Sequence, residues 1–149
     1  MMNRFEELLK ELGMEYSLSL HPDPHGMCQL NIEGILHVQL SCEEEKERLL
    51  IACFICETPA GKFRENILKA ALKHNYLYPL GAILSYSEKN NQLTLFQYIP
   101  LPSLQGKKLA QTLNLFIAKA KEWRAAVETG NLQGLLSSNT PRSSGMFGL

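Results

Sequence analysis

Cys53 and Cys56 form a C-x-x-C pair, the spacing in this sequence that most suggests chemistry. A redox pair of this kind normally lies at the N-terminal end of a helix, whose dipole lowers the pKa of the first thiol. Here both cysteines lie inside the apolar run RLLIACFICETPAG, which predicts a strand. Residues three apart on a strand point to opposite faces, so we predict that the two thiols diverge and pack as small apolar side chains.

A zinc site would need further ligands besides this pair. Structural zinc is usually held by two cysteine pairs or by a cysteine pair and a histidine pair. The sequence has no second C-x-x-C, and its clustered histidines, His21 and His25, lie in the turn HPDPHG. A thiol or zinc protein that uses Cys53, Cys56 and these histidines or His37 is therefore an alternative, while the main prediction includes no metal and no cofactor.

Other patterns typical of enzymes are weak. Three glutamates follow Cys42, and their negative charge raises the pKa of a neighbouring thiol, which disfavours a nucleophile. His74 lies among apolar positions of a predicted helix, where a histidine more often packs and forms a hydrogen bond. Neither G-x-G-x-x-G nor a P-loop pattern occurs. We predict that the protein is not an enzyme.

Composition and charge narrow the classes of partner. Fifteen Lys and Arg balance 15 Asp and Glu, which argues against nucleic acid as a partner. The longest apolar run, residues 49–56, is far shorter than the roughly 20 residues of a membrane span. The N-terminus, MMNRFEELLKEL, has acidic residues where a signal peptide would be apolar. We therefore expect a cytoplasmic protein with reduced cysteines.

Apolar periodicity predicts the elements of the first half of the chain. Asn3 can cap a helix with apolar residues at helical spacing, and Gly13 is predicted to end it. Residues 16–20 alternate between apolar residues and serine, which predicts a half-buried strand. Two more strands are predicted within residues 28–40. Residues 49–56 are apolar at both odd and even positions, which is typical of a central strand covered on both faces.

The second half predicts two helices and a hairpin. Thr58 and Pro59 open a helix that runs to about residue 78, and a hairpin follows over residues 82–99 around the turn EKNN. A long amphipathic helix, with Ser103 as its predicted cap, ends near residue 128. Residues 130–149 are rich in Gly, Ser and Asn, which predicts a flexible tail.

Together these elements predict one α+β domain over residues 1–129. We take its order as α-β-β-β-α-β-β-α, which counts three of the four strand-like segments before the second helix. Short turns join most of the strands, so the sheet should be mainly antiparallel and twisted, with helices flanking it. The polar faces of the strands carry little charge. Such strands are poorly protected against edge pairing, which suits a dimer interface or the addition of a partner strand. Simple solvation of these faces is the alternative.

This order of elements resembles the class I type III secretion chaperones with the CesT-like fold. The resemblance covers about residues 1–128 and rests on the segments FEELLKELG, LNIEGILHVQL and LNLFIAKAKEWRAAV. It implies a cytoplasmic bacterial homodimer without a cofactor, which binds the N-terminal segment of one or more secreted effectors and keeps it soluble and export-competent. Components of the secretion apparatus are further partners that it suggests. Members are commonly acidic, whereas this chain has no net charge.

The resemblance also implies two sets of surface residues. Effectors bind around the first helix and the outer strands in this family, which corresponds here to Phe5, Leu9, Leu18, Leu20, Leu36 and Val38. The second helix and the strand after it generally form the dimer interface, which corresponds to Ile67, Ala70, Ala71, His74, Leu84 and Tyr86. A non-secretory adaptor or sensory domain of the same architecture is the other alternative, because a fold does not fix a function.

Overall fold

The structure is a computed structural model that describes residues 3–132 of the 149-residue chain. Most of the predicted tail, residues 133–149, lies outside the described residues. Within these residues, three α-helices and five strands follow the predicted order, with a short 3-10 helix at Glu44–Lys46. The helices are α1 (Arg4–Tyr16), α2 (Lys62–Leu77) and α3 (Gly106–Thr129). The strands are β1 (Met27–Ile32), β2 (Leu36–Glu43), β3 (Arg48–Glu57), β4 (Ile83–Ser87) and β5 (Gln92–Pro100).

The five strands form one antiparallel sheet in the order β1-β2-β3-β5-β4. The prediction of an antiparallel α+β fold with β3 at its centre is confirmed. β1 and β4 are the two edge strands of this sheet, and the predicted hairpin between residues 82 and 99 corresponds to β4 and β5.

All three helices contribute to one apolar core, on what we call the inner face of the sheet. On β3, Leu49, Ile51, Cys53 and Ile55 are buried in this core. The prediction that β3 is covered on both faces is wrong, because Phe54 on the opposite, outer face is 55% exposed. β3 does carry apolar residues on both of its faces, but the described helices cover only the inner one.

The end of α1 differs from the prediction. Asn3 caps the helix as expected, since its Oδ1 accepts a hydrogen bond of 2.8 Å from the backbone N–H of Glu6. The helix continues past Gly13 to Tyr16 and ends at Ser17, which adopts the left-handed conformation with φ of 56°. The predicted strand over residues 16–20 is therefore wrong. The Tyr16 hydroxyl donates a 2.6 Å hydrogen bond to Asn114 Oδ1, which holds the last turn of α1 against α3.

A close approach of α1 and α3 replaces the cap that was predicted at Ser103. The backbone N–H of Gly106 donates a 2.7 Å hydrogen bond to Glu11 Oε1, so a side chain of α1 satisfies the first turn of α3. A Cβ at Gly106 would lie 2.3 Å from the Cβ of Glu11, and only glycine fits there. Ser103 lies outside the helix, which begins after Gln105, and has a φ of 66°.

Candidate functional site

A bulge in β3 brings the two central cysteines to the same face of the sheet. The register shifts between Phe54 and Cys56, so that Cys53 lies opposite Leu95 and Cys56 lies opposite Leu93. Both leucines belong to the core, and both thiols pack against it. The prediction that the thiols diverge is wrong, since the bulge adds one residue between them. Arg124 binds the bulge by donating a 2.8 Å hydrogen bond to the carbonyl oxygen of Ile55.

The surroundings of these thiols are those of packed side chains. Burial raises the pKa of Cys53 to about 11, against a smaller opposing effect of Arg124. Burial also raises the pKa of Cys56. A thiol with a raised pKa is a weak nucleophile and a weak metal ligand at neutral pH. Within residues 3–132 we find no group of three or more His, Cys, Asp or Glu that could hold a metal ion. Nothing in the described residues favours the thiol or zinc alternative.

The predicted partner-binding residues divide between the core and the surface. Four of them are at most 4% exposed and pack inside the chain: Phe5, Leu9, Leu36 and Val38. The apolar periodicity that marked them is the pattern by which α1 and β2 pack into the core. Leu18 is 57% exposed and Leu20 is half-buried, so these two remain predicted contacts.

Leu18 and Leu20 line a groove between α1 and the segment 17–22, which we call the α1 groove. Met14, 74% exposed, forms its apolar wall on the helix, and Glu6 and Lys10 form its polar rim. Gly13 permits this arrangement, because a Cβ at that position would lie 2.4 Å from the carbonyl oxygen of Leu18. The α1 groove is open to solvent and can receive an apolar side chain of a partner.

The outer face of the sheet carries a second apolar surface, which the prediction of a partner site did not include. Leu50 lies opposite Tyr98, Ala52 lies opposite Phe96, and Phe54 follows on β3. We call these five residues the outer patch. The rings of Phe96 and Tyr98 are 5.9 Å apart in an edge-to-face arrangement, and Tyr98 is 39% exposed. These residues occur at every second position along β3 and β5, and this alternation in the sequence could have identified them.

Polar residues surround the outer patch. The guanidinium carbon of Arg48 lies 3.7 Å from the centroid of the Tyr98 ring, and Arg48 also pairs with Glu43. The hydrogen bond from Arg48 holds the pKa of Glu43 below its usual value. His37 and Gln39 on β2 line a shallow depression beside Phe54 and Phe96. An apolar centre with a polar rim is the usual anatomy of a protein-binding surface.

The edge strand β1 has backbone positions open to a partner. The N–H of Met27 donates a 3.0 Å hydrogen bond to Asp23 Oδ1, and the Met27 carbonyl accepts one of 2.7 Å from the N–H of Asp23. Backbone groups alternate in direction along a strand, so those of Gln29 and Asn31 face the same edge. Within residues 3–132, neither takes part in a backbone–backbone hydrogen bond outside the β1–β2 ladder.

The predicted dimer-interface residues are mostly buried within the chain. Ile67, Ala70, Ala71, His74 and Leu84 are at most 7% exposed. Tyr86 is half-buried, and its hydroxyl donates a 2.6 Å hydrogen bond to Asn91 Oδ1. The solvent side of α2 instead carries Leu72, 71% exposed, and Tyr76, 65% exposed. An interface on α2 therefore needs these two side chains.

Among residues 3–132, no helix is long and apolar enough to cross a membrane. The family model that matches this chain is that of the Tir chaperone protein (CesT) family, over residues 7–124. No curated protein sequence matches the chain significantly.

Solved structures with a similar fold include chains of chaperone complexes. A chain of the HopA1–SchA chaperone–effector complex has 26% sequence identity and a TM-score of 0.69, covering 83% of this chain and 94% of that one. A chain of the ExsC–ExsE complex has 23% identity and a TM-score of 0.70, covering 83% and 93%. A chain of the complex between the Yersinia pestis type III secretion chaperone SycH and a stable fragment of YscM2 has 21% identity and a TM-score of 0.62, covering 78% and 96%. The last two support the fold alone.

Proposed function

This chain belongs to the Tir chaperone protein (CesT) family, and we propose from this membership that it is a type III secretion chaperone. It binds the N-terminal segment of one or more secreted effectors and keeps that segment soluble and competent for export. The chaperone–effector complex among its structural relatives supports this role. We assign it no catalytic activity, and we place it in the bacterial cytoplasm, where a secreted protein must be held before export.

The observation that carries the proposal is an apolar sheet face that no helix of the described chain covers. Phe54 and Tyr98 are substantially exposed on the outer patch, although apolar residues at sheet centres are normally buried. Burying such a surface stabilises a complex by roughly 25 cal/mol per Å² of apolar area. An effector segment loses conformational entropy when it binds, so it needs apolar contacts spread over a large surface.

Three features of the chain would receive different parts of an extended segment. The β1 edge offers backbone hydrogen bonds at Gln29 and Asn31, which bind a strand without regard to its sequence. The α1 groove and the outer patch accept apolar side chains. Residues 17–26 connect α1 to β1 directly, so the groove and the edge adjoin. Backbone pairing then provides affinity, and the apolar surfaces select the side chains.

A homodimer would double these surfaces through two-fold symmetry. We propose that α2 provides the interface, with Leu72 and Tyr76 as its contacts. Of the five buried residues predicted for this interface, four lie on the inner side of α2, and Leu84 lies on β4. Components of the secretion apparatus are the further partners expected for a protein of this function.

Co-expression with N-terminal segments of secreted proteins from the same genome tests the proposal. We expect one segment to be recovered in soluble form with the wild-type chain, and Phe54→Asp to reduce its recovery at least tenfold. Leu115→Asp is the matched control, because Leu115 is 74% exposed on α3 and lines a different groove, with Leu80 and Ala82. A folded wild-type protein that retains no segment, or equal losses in both variants, contradicts the proposal.

A further inference from the structure

The two edges of the sheet differ in what they offer to an added strand. An edge strand presents unpaired backbone N–H and C=O groups, which another strand can extend. At β1 the open positions are Gln29 and Asn31. At β4 the corresponding positions are Leu84 and Tyr86, and a side chain of α2 already occupies the first of them.

Asn75 binds the backbone of Leu84 on both sides. Its Nδ2 donates a 2.8 Å hydrogen bond to the Leu84 carbonyl, and its Oδ1 accepts a 2.9 Å hydrogen bond from the Leu84 N–H. A carboxamide carries one donor group and one acceptor as a peptide unit does, so Asn75 takes the place of a neighbouring strand. Only this orientation of the amide satisfies both backbone groups, which fixes the positions of its oxygen and nitrogen.

A chain of hydrogen bonds from α3 holds Asn75 in place. His74 Nε2 lies 3.2 Å from the Nζ of Lys119, and His74 Nδ1 lies 3.3 Å from Asn75 Oδ1. A lysine ammonium group only donates, so Nε2 is the acceptor and Nδ1 carries the proton that it donates to Asn75. His74 is 2% exposed and packs edge-to-face against Trp123 at 5.6 Å.

We propose that Asn75 seals the β4 edge at Leu84 and thereby directs an added partner strand to the β1 edge. The expected occupant is an extended effector segment, and the inference thus rests on the proposed function. Lys119 and His74 are positioning residues, which act on this edge only through Asn75. An α2 interface with Leu72 and Tyr76 then forms by packing of side chains rather than by strand pairing at Leu84.

Backbone hydrogen exchange, followed by NMR on the free protein, tests the seal without a partner. We expect the Leu84 amide to exchange at least tenfold more slowly than those of Gln29 and Asn31. Asn75→Ala should remove most of this difference, while Asn66→Ala should not, because Asn66 is exposed on the same helix. Unchanged protection of Leu84 in Asn75→Ala overturns the proposal. Should Asn75→Ala fail to fold, Lys119→Met provides the same test with a smaller expected increase in exchange.

A strand probe tests the direction of addition. The probe is a synthetic nine-residue peptide of alternating valine and threonine, flanked by lysines and carrying a nitroxide label. We expect it to broaden the amide signals at the β1 edge much more than those at the β4 edge in the wild-type protein, and to broaden both edges in Asn75→Ala. Equal broadening at the two edges in the wild type, or broadening at neither, overturns directed addition. The exchange experiment on the free protein then separates the two explanations. Slow exchange at Leu84 that depends on Asn75 supports the seal even when the proposed binding of a segment fails.

Discussion

His74 is a buried polar residue whose protonation the fold resists. Lys119 on α3 and Tyr78, directly after α2, are the titratable groups beside it, and Glu122 on α3 acts on both of them. Burial lowers the pKa of His74, the hydrogen bond with Asn75 acts in the opposite direction, and the positive charge of Lys119 lowers the pKa further. The neutral imidazole is also the form that can accept a hydrogen bond from Lys119.

We predict that acidification destabilises the protein through His74. The unfolded chain binds a proton at the usual histidine pKa of about 6.5, whereas the folded chain binds it only at lower pH. The stabilisation is therefore complete above about pH 6.5 and is lost as the pH falls below that value. Urea denaturation between pH 7 and pH 5 measures it, and His74→Gln should make the free energy of unfolding less dependent on pH. An equal pH dependence in both proteins contradicts this prediction.

Long-range contacts at the residue scale explain what the sequence could not reveal. Tyr16 looked like the first residue of a strand because it alternates with serine, but its hydroxyl binds Asn114, which is 98 positions away. Phe5, Leu9, Leu36 and Val38 were correctly recognised as apolar and periodic. That pattern is the same for a core residue and a binding residue, so it could not separate them. Exposure depends on which face the helices cover.

The helices and strands themselves were largely predictable, because their periods are local properties of the sequence. α2, β4, β5 and α3 follow their predicted spans within a few residues. The start of α3 is an exception that depends on another element, since Glu11 of α1 caps it at Gly106. The bulge of β3 is another exception, because the continuous apolar run gives no sign of the extra residue. It moved Cys56 to the inner face and changed the interpretation of the C-x-x-C pair.

We predict that Gly106→Ala weakens the contact between α1 and α3. The new Cβ would lie 2.3 Å from the Glu11 Cβ and 2.8 Å from its backbone carbonyl carbon, so the backbone of α1 would have to move. Overpacking of this kind costs about 1–3 kcal/mol of unfolding free energy, which urea denaturation can measure. Gly81→Ala is the matched control, since a Cβ there meets nothing within 4 Å and should change stability by less than about 0.5 kcal/mol. Equal losses in the two variants would contradict the proposed contact.

At the scale of the whole molecule, the apolar surfaces lie on separate sides of the chain. The outer patch lies on one face of the sheet, the α1 groove lies beside β1, and Leu72 and Tyr76 lie on α2 near the opposite edge. This separation allows an interface on α2 and a bound segment at β1 to coexist. The chain has no net charge, so long-range attraction contributes little to partner choice, and shape and apolar contact must contribute more.

We predict that Leu72→Glu converts the proposed dimer into a monomer without unfolding it. Leu72 is 71% exposed in the isolated chain, so a glutamate there is solvated in the monomer but would be buried without a partner in an α2 interface. Sedimentation velocity should show the mass fall by half, while the circular dichroism spectrum stays near that of the control, as expected for a folded monomer. Leu115→Glu is that control, with a leucine of similar exposure on α3, and it should remain dimeric.

Because two-fold symmetry presents each surface twice, Leu72→Glu should also lower the apparent affinity for an effector segment that spans both protomers. A dimeric Leu72→Glu, or a monomeric Leu115→Glu, would place the interface elsewhere.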